Sequence, residues 1–361
     1  MTKNREDTLW DSKFIKTIKK LVPGTQLREG LENILRAKMG VLVLVDNHQP
    51  LANVVDGGFS INRDFTPAGF YELGKMDGAL IISADAKHIL YANAQLVPSS
   101  NITTTETGTR HRTAERVAKQ TGGLVIAISQ RRNLITMYLG NLKYALKDIT
   151  VILSRANQAL QTLGKYRKVL QRSLTNLSAL EFEDLTTLLD VAEIVIRVEQ
   201  VNRITREIEL NIIELGSEGR LVSMQMEELM PEHDDMGLLI RDYCISCDPD
   251  VHEQVRGELA ALSEESLEPY TVSRILGYSI TPNILEIPVV PRGYRVLRRI
   301  PRLPMVVIDN LVAHFKTLHP IYNATLVELD HVEGISEIRA KTIKEGLKRV
   351  REQALLDRYD G

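Results

Sequence analysis

Between Pro98 and Pro231 the chain carries no proline, and Gly164 is its only glycine from Asn141 to Leu215. Proline and glycine are the residues that interrupt helices, so a stretch this long without them constrains the fold more than any other feature of the sequence. Within it, apolar residues recur at Ile149, Ile152, Leu153, Ala156, Leu160 and Leu163, then at Leu170, Leu174, Leu177 and Leu180. Steps of three and four mark one face of an α-helix. A bundle core and a coiled-coil seam both satisfy such a stripe, and the bundle core is the expectation. The region from about Lys147 to Pro282 therefore reads as a helical spine.

Two regions of different character flank the spine. Up to Leu146, short apolar runs alternate with turns: "MGVLVLVD" (39–46), "GALIIS" (78–83), "HILYANAQL" (88–96), "GLVIAIS" (123–129) and "LITMYLG" (134–140). They are rich in Ile, Val and Leu, are bounded by Gly, Asp and Asn, and read as strands. "SADAKH" (83–88) reads as a hairpin connection, and "REGLENILRAKM" (28–39) and "RTAERVAKQTG" (112–122) read as helices. Alternation of this kind predicts an α/β domain with a mixed central sheet. From Pro291, "PRGYRVLRRIPRLP" brings in Arg292, Arg295, Arg298, Arg299 and Arg302, and helical patterns follow around 304–318 and 337–353. Thirteen Lys and Arg face nine Asp and Glu from Pro291 onward, in a chain of formal net charge −2, so positive charge is segregated to this end. At 361 residues the chain has room for three domains. They are expected at 1–146 (α/β), 147–287 (all-α spine) and 288–361 (helix–hairpin–helix).

A net charge near zero excludes a wholly basic nucleic-acid coat but not local patches. The charged start "MTKNREDTLWDSKF" lacks the apolar core of a signal peptide, and no apolar run approaches the ~18 residues of a membrane span. Two cysteines make no disulfide framework. A cytoplasmic location, with no membrane partner, is expected.

Several motifs could carry chemistry. "GFYELGKM" (69–76) fits the first seven positions of a phosphate-binding P-loop. Met76 stands where Ser or Thr would hold magnesium, and "INRDFTPA" before it does not read as the required strand, so no P-loop is expected. "CISC" (244–247), with His233 and His252 nearby, is half a zinc site without a second cysteine pair, and ordinary thiols are expected. In "KMDGALIIS", Asp77 at a strand mouth could hold a hard cation and Gly78 could admit a ligand close to the backbone, although Asp-Gly is also a common turn pair.

The most pointed pattern is "TGTRHRTAERVAKQTG" (107–122). It sets Thr109, Arg110, His111, Arg112 and Thr113 at the start of a helix, where the macrodipole is already positive. Helix N-terminal amides bind anions and guanidinium forks match phosphate oxygens, so a phosphate ligand is a natural partner. "SQRRN" adds Ser129, Arg131 and Arg132 at a strand end. Two cationic loops and a carboxylate in one α/β domain suit a polyphosphate, and no Ser/His/Asp or Cys/His arrangement reads as a hydrolase. Near the C-terminus, "LVELDHVEGISEIRAKTIKEGLKRV" (326–350) places a short helix, the tight turn Val332–Ser336 and a basic helix in series. A turn of this kind aims amides at a nucleic-acid phosphate, with Arg339, Lys341 and Lys344 near, and gives affinity without base readout.

Taken together, "KMDGALIIS…ILYANAQLVP…ETGTRHRTAERVAKQTG…VIAIS" closely resembles the diadenylate cyclase family in its DNA-integrity-scanning branch. Asp77-Gly78-Ala79 and Arg110-His111-Arg112 match its two signatures. "VDGGFSIN", "LSRANQALQTL", "PRGYRVLRRIPRLP" and the C-terminal hairpin extend the likeness from about Pro23 to Val350. The resemblance implies an enzyme that makes cyclic di-AMP from two ATP. Asp77 would hold Mg2+ or Mn2+ near the α-phosphate, and Gly78, Leu96, Thr109–Thr113, Ser129, Arg131 and Arg132 would bind ATP, with Asp77, Arg110 and Arg112 catalytic. It further implies a homo-octamer, face-to-face cyclase domains, nucleoid association and a C-terminal domain whose binding of branched DNA suppresses the cyclase. DNA contact would fall to Gly334, Ile335, Ser336, Arg339, Lys341 and Lys344. The family's hairpin carries Gly-Ile-Gly; Ser336 departs from it and suits a helix N-cap instead. The competing reading is an oligomeric DNA-binding scaffold that only senses ATP or a cyclic dinucleotide.

Overall fold

The computed structural model describes residues 12–45, 54–230, 234–279 and 281–359, with side chains to 356. They pack as two compact units, Met1–Gln158 with Glu209–Met224, and Ala159–Ile208 with Gln225–Gly361.

In the first unit the chain runs α1 (Ser12–Ile18), α2 (Gln26–Arg36), β1 (Leu42–Val45), β2 (Val55–Asp56), β3 (Phe59–Asp64), α3 (Pro67–Leu73), β4 (Ala79–Ile82), β5 (His88–Leu96), α4 (Thr109–Thr121), β6 (Leu124–Ser129), β7 (Leu134–Leu139) and β8 (Leu142–Ala145). The strands form one sheet in the order β2-β5-β4-β1-β6-β7-β8, with β3 also paired to β5. The β1–β4 pair is parallel and the other pairs are antiparallel, so the sheet is mixed. Helices cover both faces. Leu27, Leu31 and Phe70 of α2 and α3 pack on Val43, Ile82 and Ile126, while Ala114, Val117 and Ala118 of α4 pack on Leu44, Ile81 and Val125. That is why β1 and β4 are unbroken apolar runs: residues alternate between two dry faces.

The predicted strands and both predicted helices are present, and residues 83–87 form the hairpin connection. Asp46, the last residue of the first predicted strand, lies outside the described residues. Sequence patterning missed α1, β2, β3, α3 and β8. Of these, β3 (FSINRD) is almost wholly exposed at the sheet edge, so no apolar alternation marks it. The reading of "INRDFTPA" as strandless is thus corrected for Ile61–Asp64. The P-loop is absent all the same, because Gly69 lies inside α3, its amide donating to the N-cap hydroxyl of Thr66 at 3.1 Å.

The spine is helical as expected: α5 (Ile149–Glu183), α6 (Leu188–Leu215), α7 (Arg220–Leu229), α8 (Asp235–Tyr243), α9 (Pro249–Ala261) and α10 (Pro269–Ile275). Of the predicted stripe, Ile152, Ala156, Leu160, Leu163, Leu170, Leu174 and Leu177 are buried. The two compact units divide inside α5 and α6, because a helix of 35 residues runs about 52 Å and outlasts the body it starts in.

The C-terminal segment adds α11 (Tyr294–Arg298), α12 (Met305–Phe315), α13 (Leu318–Asn323), α14 (Leu326–Asp330) and α15 (Glu337–Tyr359) around a shared core that includes Val296, Leu311, Ile321, Leu329 and Leu347, with Phe182 of α5. The helix expected over 304–318 stops at Phe315, where Lys316 takes a φ of +71°.

Candidate active site

Strand register gathers the cyclase candidates at one edge of the sheet. Ala79, the first residue of β4, pairs with Leu42 on one side and Ala94 on the other, and Leu42 pairs with Ala127. β1 and β4 enter at this edge while β5 and β6 leave by it. Gly40, Asp77, Gly78, Leu96 and Ser129 are therefore brought together, although the sequence scatters them over ninety positions. The β6–β7 turn adds Arg131 and Arg132, both exposed; the Ser129 hydroxyl accepts the Arg132 amide at 3.3 Å and shapes the turn.

Helix α4 delivers its N-terminus to the same edge, as Arg110 shows: a Cβ built on Gly40 would stand 2.7 Å from Arg110 Nη1 and 3.4 Å from the Ile128 carbonyl oxygen. The α4 N-cap, Gly108, has no side chain with which to cap the helix, and no acid occupies the first turn. The positive helix end and the exposed Arg110 and Arg112 thus face solvent without a countercharge from the helix itself, a setting that stabilises an anion. Thr109 is exposed at the first helical position and Thr113 is half-buried one turn on.

Asp77 is exposed, and among the described residues its carboxylate has no hydrogen bond or ion pair. No cluster of three His, Cys, Asp or Glu side chains that could hold a metal occurs among the described residues. A lone free carboxylate fits Mg2+, which commonly takes one or two protein carboxylates and completes its shell with substrate phosphate and water.

Three assignments are refined. Gly78 has a φ of +90°, and a Cβ there would stand 2.8 Å from the Ala94 carbonyl oxygen and 3.0 Å from the Asn93 carbonyl carbon. The neighbouring strand β5 by itself demands a glycine here, whatever ligand the exposed backbone admits. Leu96 is buried, pairing with Val55, so only its backbone could face a ligand at this edge. His111 does not point out with its two arginines. Its Nδ1 lies 2.9 Å from the hydroxyl of Tyr138, which is buried on β7. The Tyr138 hydroxyl donates to Glu106 Oε1 at 2.9 Å, and Lys143 on β8 pairs with the same carboxylate. Burial pushes the His111 imidazole below the usual histidine range, against the pull of Glu106. Glu106 is held below the usual carboxylate range by Lys143 and Tyr138, which outweigh its burial.

Sequence reasoning missed Gly40, Glu106, Tyr138 and Lys143. The one available signal was Tyr138 itself, a hydroxyl-bearing side chain in a largely apolar strand. Gly40→Ala is expected to push the Arg110 guanidinium aside and lower kcat/KM for ATP about tenfold or more, because small misplacements of binding groups are expensive. Steady-state kinetics with an unchanged circular dichroism spectrum would register it.

The C-terminal hairpin also departs from expectation. Gly334 has a φ of +82° in the exposed turn between α14 and α15, and Ser336 takes the N-cap position, its carbonyl accepting the Ala340 amide at 2.8 Å. Ile335, however, is buried in the core. Lys344 Nζ donates to the carbonyls of Tyr322 (2.7 Å) and Ala324 (2.6 Å), closing the end of α13. Arg339 turns back onto the Gly334 carbonyl, and Lys341 pairs with Glu337 at 2.9 Å on the surface. Two members of the arginine run are engaged inside the fold. Arg295 is buried, and Arg292 donates to the carbonyls of Arg241 and Asp242 near the end of α8 (2.9 and 3.2 Å) and to that of Ile245 at 3.2 Å. Of the "CISC" thiols, Cys244 is buried and Cys247 exposed; His252 bonds the Ser246 carbonyl, and His233 lies outside the described residues.

Comparison with known proteins accounts for most of the chain. Residues 28–142 match the family model described as DisA bacterial checkpoint controller nucleotide-binding, and residues 146–285 match the DisA bacterial checkpoint controller linker region. The chain is 56% identical over 345 residues to the DNA integrity scanning protein DisA of Carboxydothermus hydrogenoformans, covering 95% of this chain and 98% of that one. It is 55% identical over 347 residues to the protein of the same name from Clostridium kluyveri, covering 96% and 98%. Among solved structures, DacA from Staphylococcus aureus aligns with a TM-score of 0.30 and 16% identity over 38% of this chain and 91% of its own. Among the described residues no helix is long and apolar enough to cross a membrane.

Proposed function

The chain belongs to the DisA family of bacterial checkpoint controllers and is a diadenylate cyclase, and from that premise we propose that it condenses two ATP molecules into cyclic di-AMP across a pair of facing protomers, under the control of DNA bound by its C-terminal domain. The observation that carries this reading is the convergence, where β1 and β4 begin and β5 and β6 end, of a carboxylate unpaired among the described residues, a helix N-terminus without a side-chain cap and four exposed arginines.

In the proposed reaction the 3′-oxygen of each ATP forms a bond to the α-phosphorus of the other. The bond from that phosphorus to the bridging oxygen breaks, pyrophosphate leaves with the electron pair, and the hydroxyl proton passes to solvent. Two such displacements close the ring and release two pyrophosphates. The edge is the N-terminal mouth of β4, where Asp77 and the arginines are exposed, so a second copy would present its ATP to it, and one protomer alone holds half a reaction. Arg110 and Arg112 neutralise charge that grows on the phosphoryl oxygens, and Arg131 and Arg132 take the leaving pyrophosphate. Asp77 would hold Mg2+ or Mn2+, which when bound supplies charge stabilisation at the α-phosphate.

The octamer, nucleoid association in the cytoplasm and the preference for branched DNA belong to the same proposal. At the hairpin, DNA contact falls to the amides around Gly334 and Ser336 and to Lys341, whose surface pair with Glu337 is weak enough to exchange for a phosphate. Ile335 holds the turn from inside the core, and Lys344 is taken up by the end of α13.

The test is to incubate the purified protein with ATP and Mg2+ or Mn2+, with and without a four-way DNA junction, and to identify products by mass spectrometry. Cyclic di-AMP with two equivalents of pyrophosphate, suppressed by the junction, is the expected result. Bound but unconverted ATP with both metals would favour the sensing scaffold.

A further inference from the structure

Residues 97–108, which join β5 to α4, form no strand or helix of their own. Side chains of α4 nevertheless hold this strap along its length. Gln120 Oε1 accepts the Ser99 amide at 2.9 Å, Lys119 donates to the Thr103 carbonyl at 3.0 Å, and Arg116 Nε donates to that of Ile102 at 2.9 Å. The Thr104 hydroxyl donates to Glu115 at 2.5 Å, and Arg112 Nε reaches the Glu106 carbonyl at 3.5 Å. The strap therefore meets α4 twice at Glu106, by its carbonyl to Arg112 and by its carboxylate, through Tyr138, to His111.

Proton counting fixes the direction of that second link. An ionised carboxylate only accepts, so the single hydroxyl proton of Tyr138 goes to Glu106. The Tyr138 oxygen must then accept from His111, which places a proton on Nδ1. The other ring nitrogen, Nε2, is buried and has no hydrogen-bond partner among the described residues. Among the described residues Tyr138 is thus the one polar anchor of the ring. Successive helical residues are about 100° apart, so a His111 ring anchored inward turns Arg110 and Arg112 to its two flanks. Arg110 lies over Gly40 at the sheet edge, and Arg112 lies against the strap.

We propose that Tyr138 and Glu106 are positioning residues for the triphosphate: through His111 they set the rotation of the first turn of α4, and with it the aim of Arg110 and Arg112. The proposal rests on the assignment of those arginines to phosphate. Neither positioning residue need touch the nucleotide.

The test compares ATP with adenosine, which lacks the phosphates, as calorimetric ligands of the full chain. Tyr138→Phe keeps the ring and removes the anchor. It is expected to weaken ATP binding about tenfold, the usual effect of losing a charge-linked hydrogen bond, and to leave adenosine binding unchanged. Glu106→Ala should reproduce this and serves if Tyr138→Phe does not fold, while Glu106→Gln, which still accepts from Tyr138, should stay within about threefold of wild type. Unchanged ATP affinity in Tyr138→Phe and Glu106→Ala, equal weakening of both ligands, or no ATP binding by the wild type would each overturn the proposal. A selective loss of ATP affinity in a protein that forms no cyclic di-AMP would uphold it and defeat the cyclase reading alone.

Discussion

Asp77→Asn is expected to lower cyclic di-AMP formation by a factor on the order of 10²–10³ while the protein stays folded and still binds ATP. The substitution is isosteric and removes only the charge. Asp77 is exposed and makes no hydrogen bond or ion pair among the described residues, so the change in stability should stay within about 0.5 kcal/mol. Product formation by mass spectrometry, beside a thermal melt and ATP binding, separates the outcomes. A variant that turns over at the wild-type rate would remove Asp77 from the reaction. One that loses ATP binding entirely would make it a binding group first. The neighbouring Gly78 cannot be probed as cleanly, because its positive φ and its contact with Ala94 make any side chain there a backbone problem.

The largest stability effect is expected at Arg295. Its guanidinium is buried and pairs with Glu181, with further bonds to the Ser178 hydroxyl at 3.0 Å and the Leu174 carbonyl at 3.3 Å. Glu181 also accepts from the Tyr243 hydroxyl at 2.5 Å. Asp242 accepts the amides of Gly293, Tyr294 and Arg295 at 2.6–2.9 Å, and so caps α11. Glu181 thus has the buried Arg295 guanidinium as its ion-pair partner, while the buried Asp242 is held by backbone amides and feels the same cation only through space. Arg295→Met strands Glu181 and should destabilise the chain by about 3–5 kcal/mol, the range for breaking a buried pair from one side. Burial pushes Glu181 up to about 7, with Arg295 opposing the shift. A carboxyl raised by folding binds more protons folded than unfolded. Its contribution is therefore fully present below the unfolded value and is lost as pH rises from about 4.5 through 7. Without Arg295 the shift grows, so the deficit of Arg295→Met should shrink at pH 5 and widen at pH 8. Thermal melts at the two pH values test this, and a deficit that does not vary with pH would mean that Glu181 is not what the arginine neutralises. The double variant Arg295→Met with Glu181→Gln should recover part of the loss.

That arginine shows how far the sequence could be read. In "PRGYRVLRRIPRLP" all five arginines look alike, and the local charge count shows only that positive charge gathers at this end. Whether a guanidinium meets solvent or a buried Glu181 more than a hundred residues away is a matter of packing. Lys344 and Ile335 follow the same rule: both sit at sensible hairpin positions, yet one closes α13 and the other fills the core. His111 was legible as a motif member and not as an anchor, because Tyr138, which holds it and links it to Glu106, lies on a strand that meets α4 only in the packed fold.

The sequence by itself determined the mixed α/β class, the long helix α5 with its buried stripe, and the candidate pair of Asp77 with the Arg110–Arg112 turn. Those rest on local periodicity and on residue chemistry, which neighbours along the chain carry. Only the tertiary structure decided that strand register brings Gly40, Asp77, Ser129 and the α4 N-terminus to one edge, and which cations remain free there. Register and burial depend on residues far apart in the chain, and no local pattern encodes them.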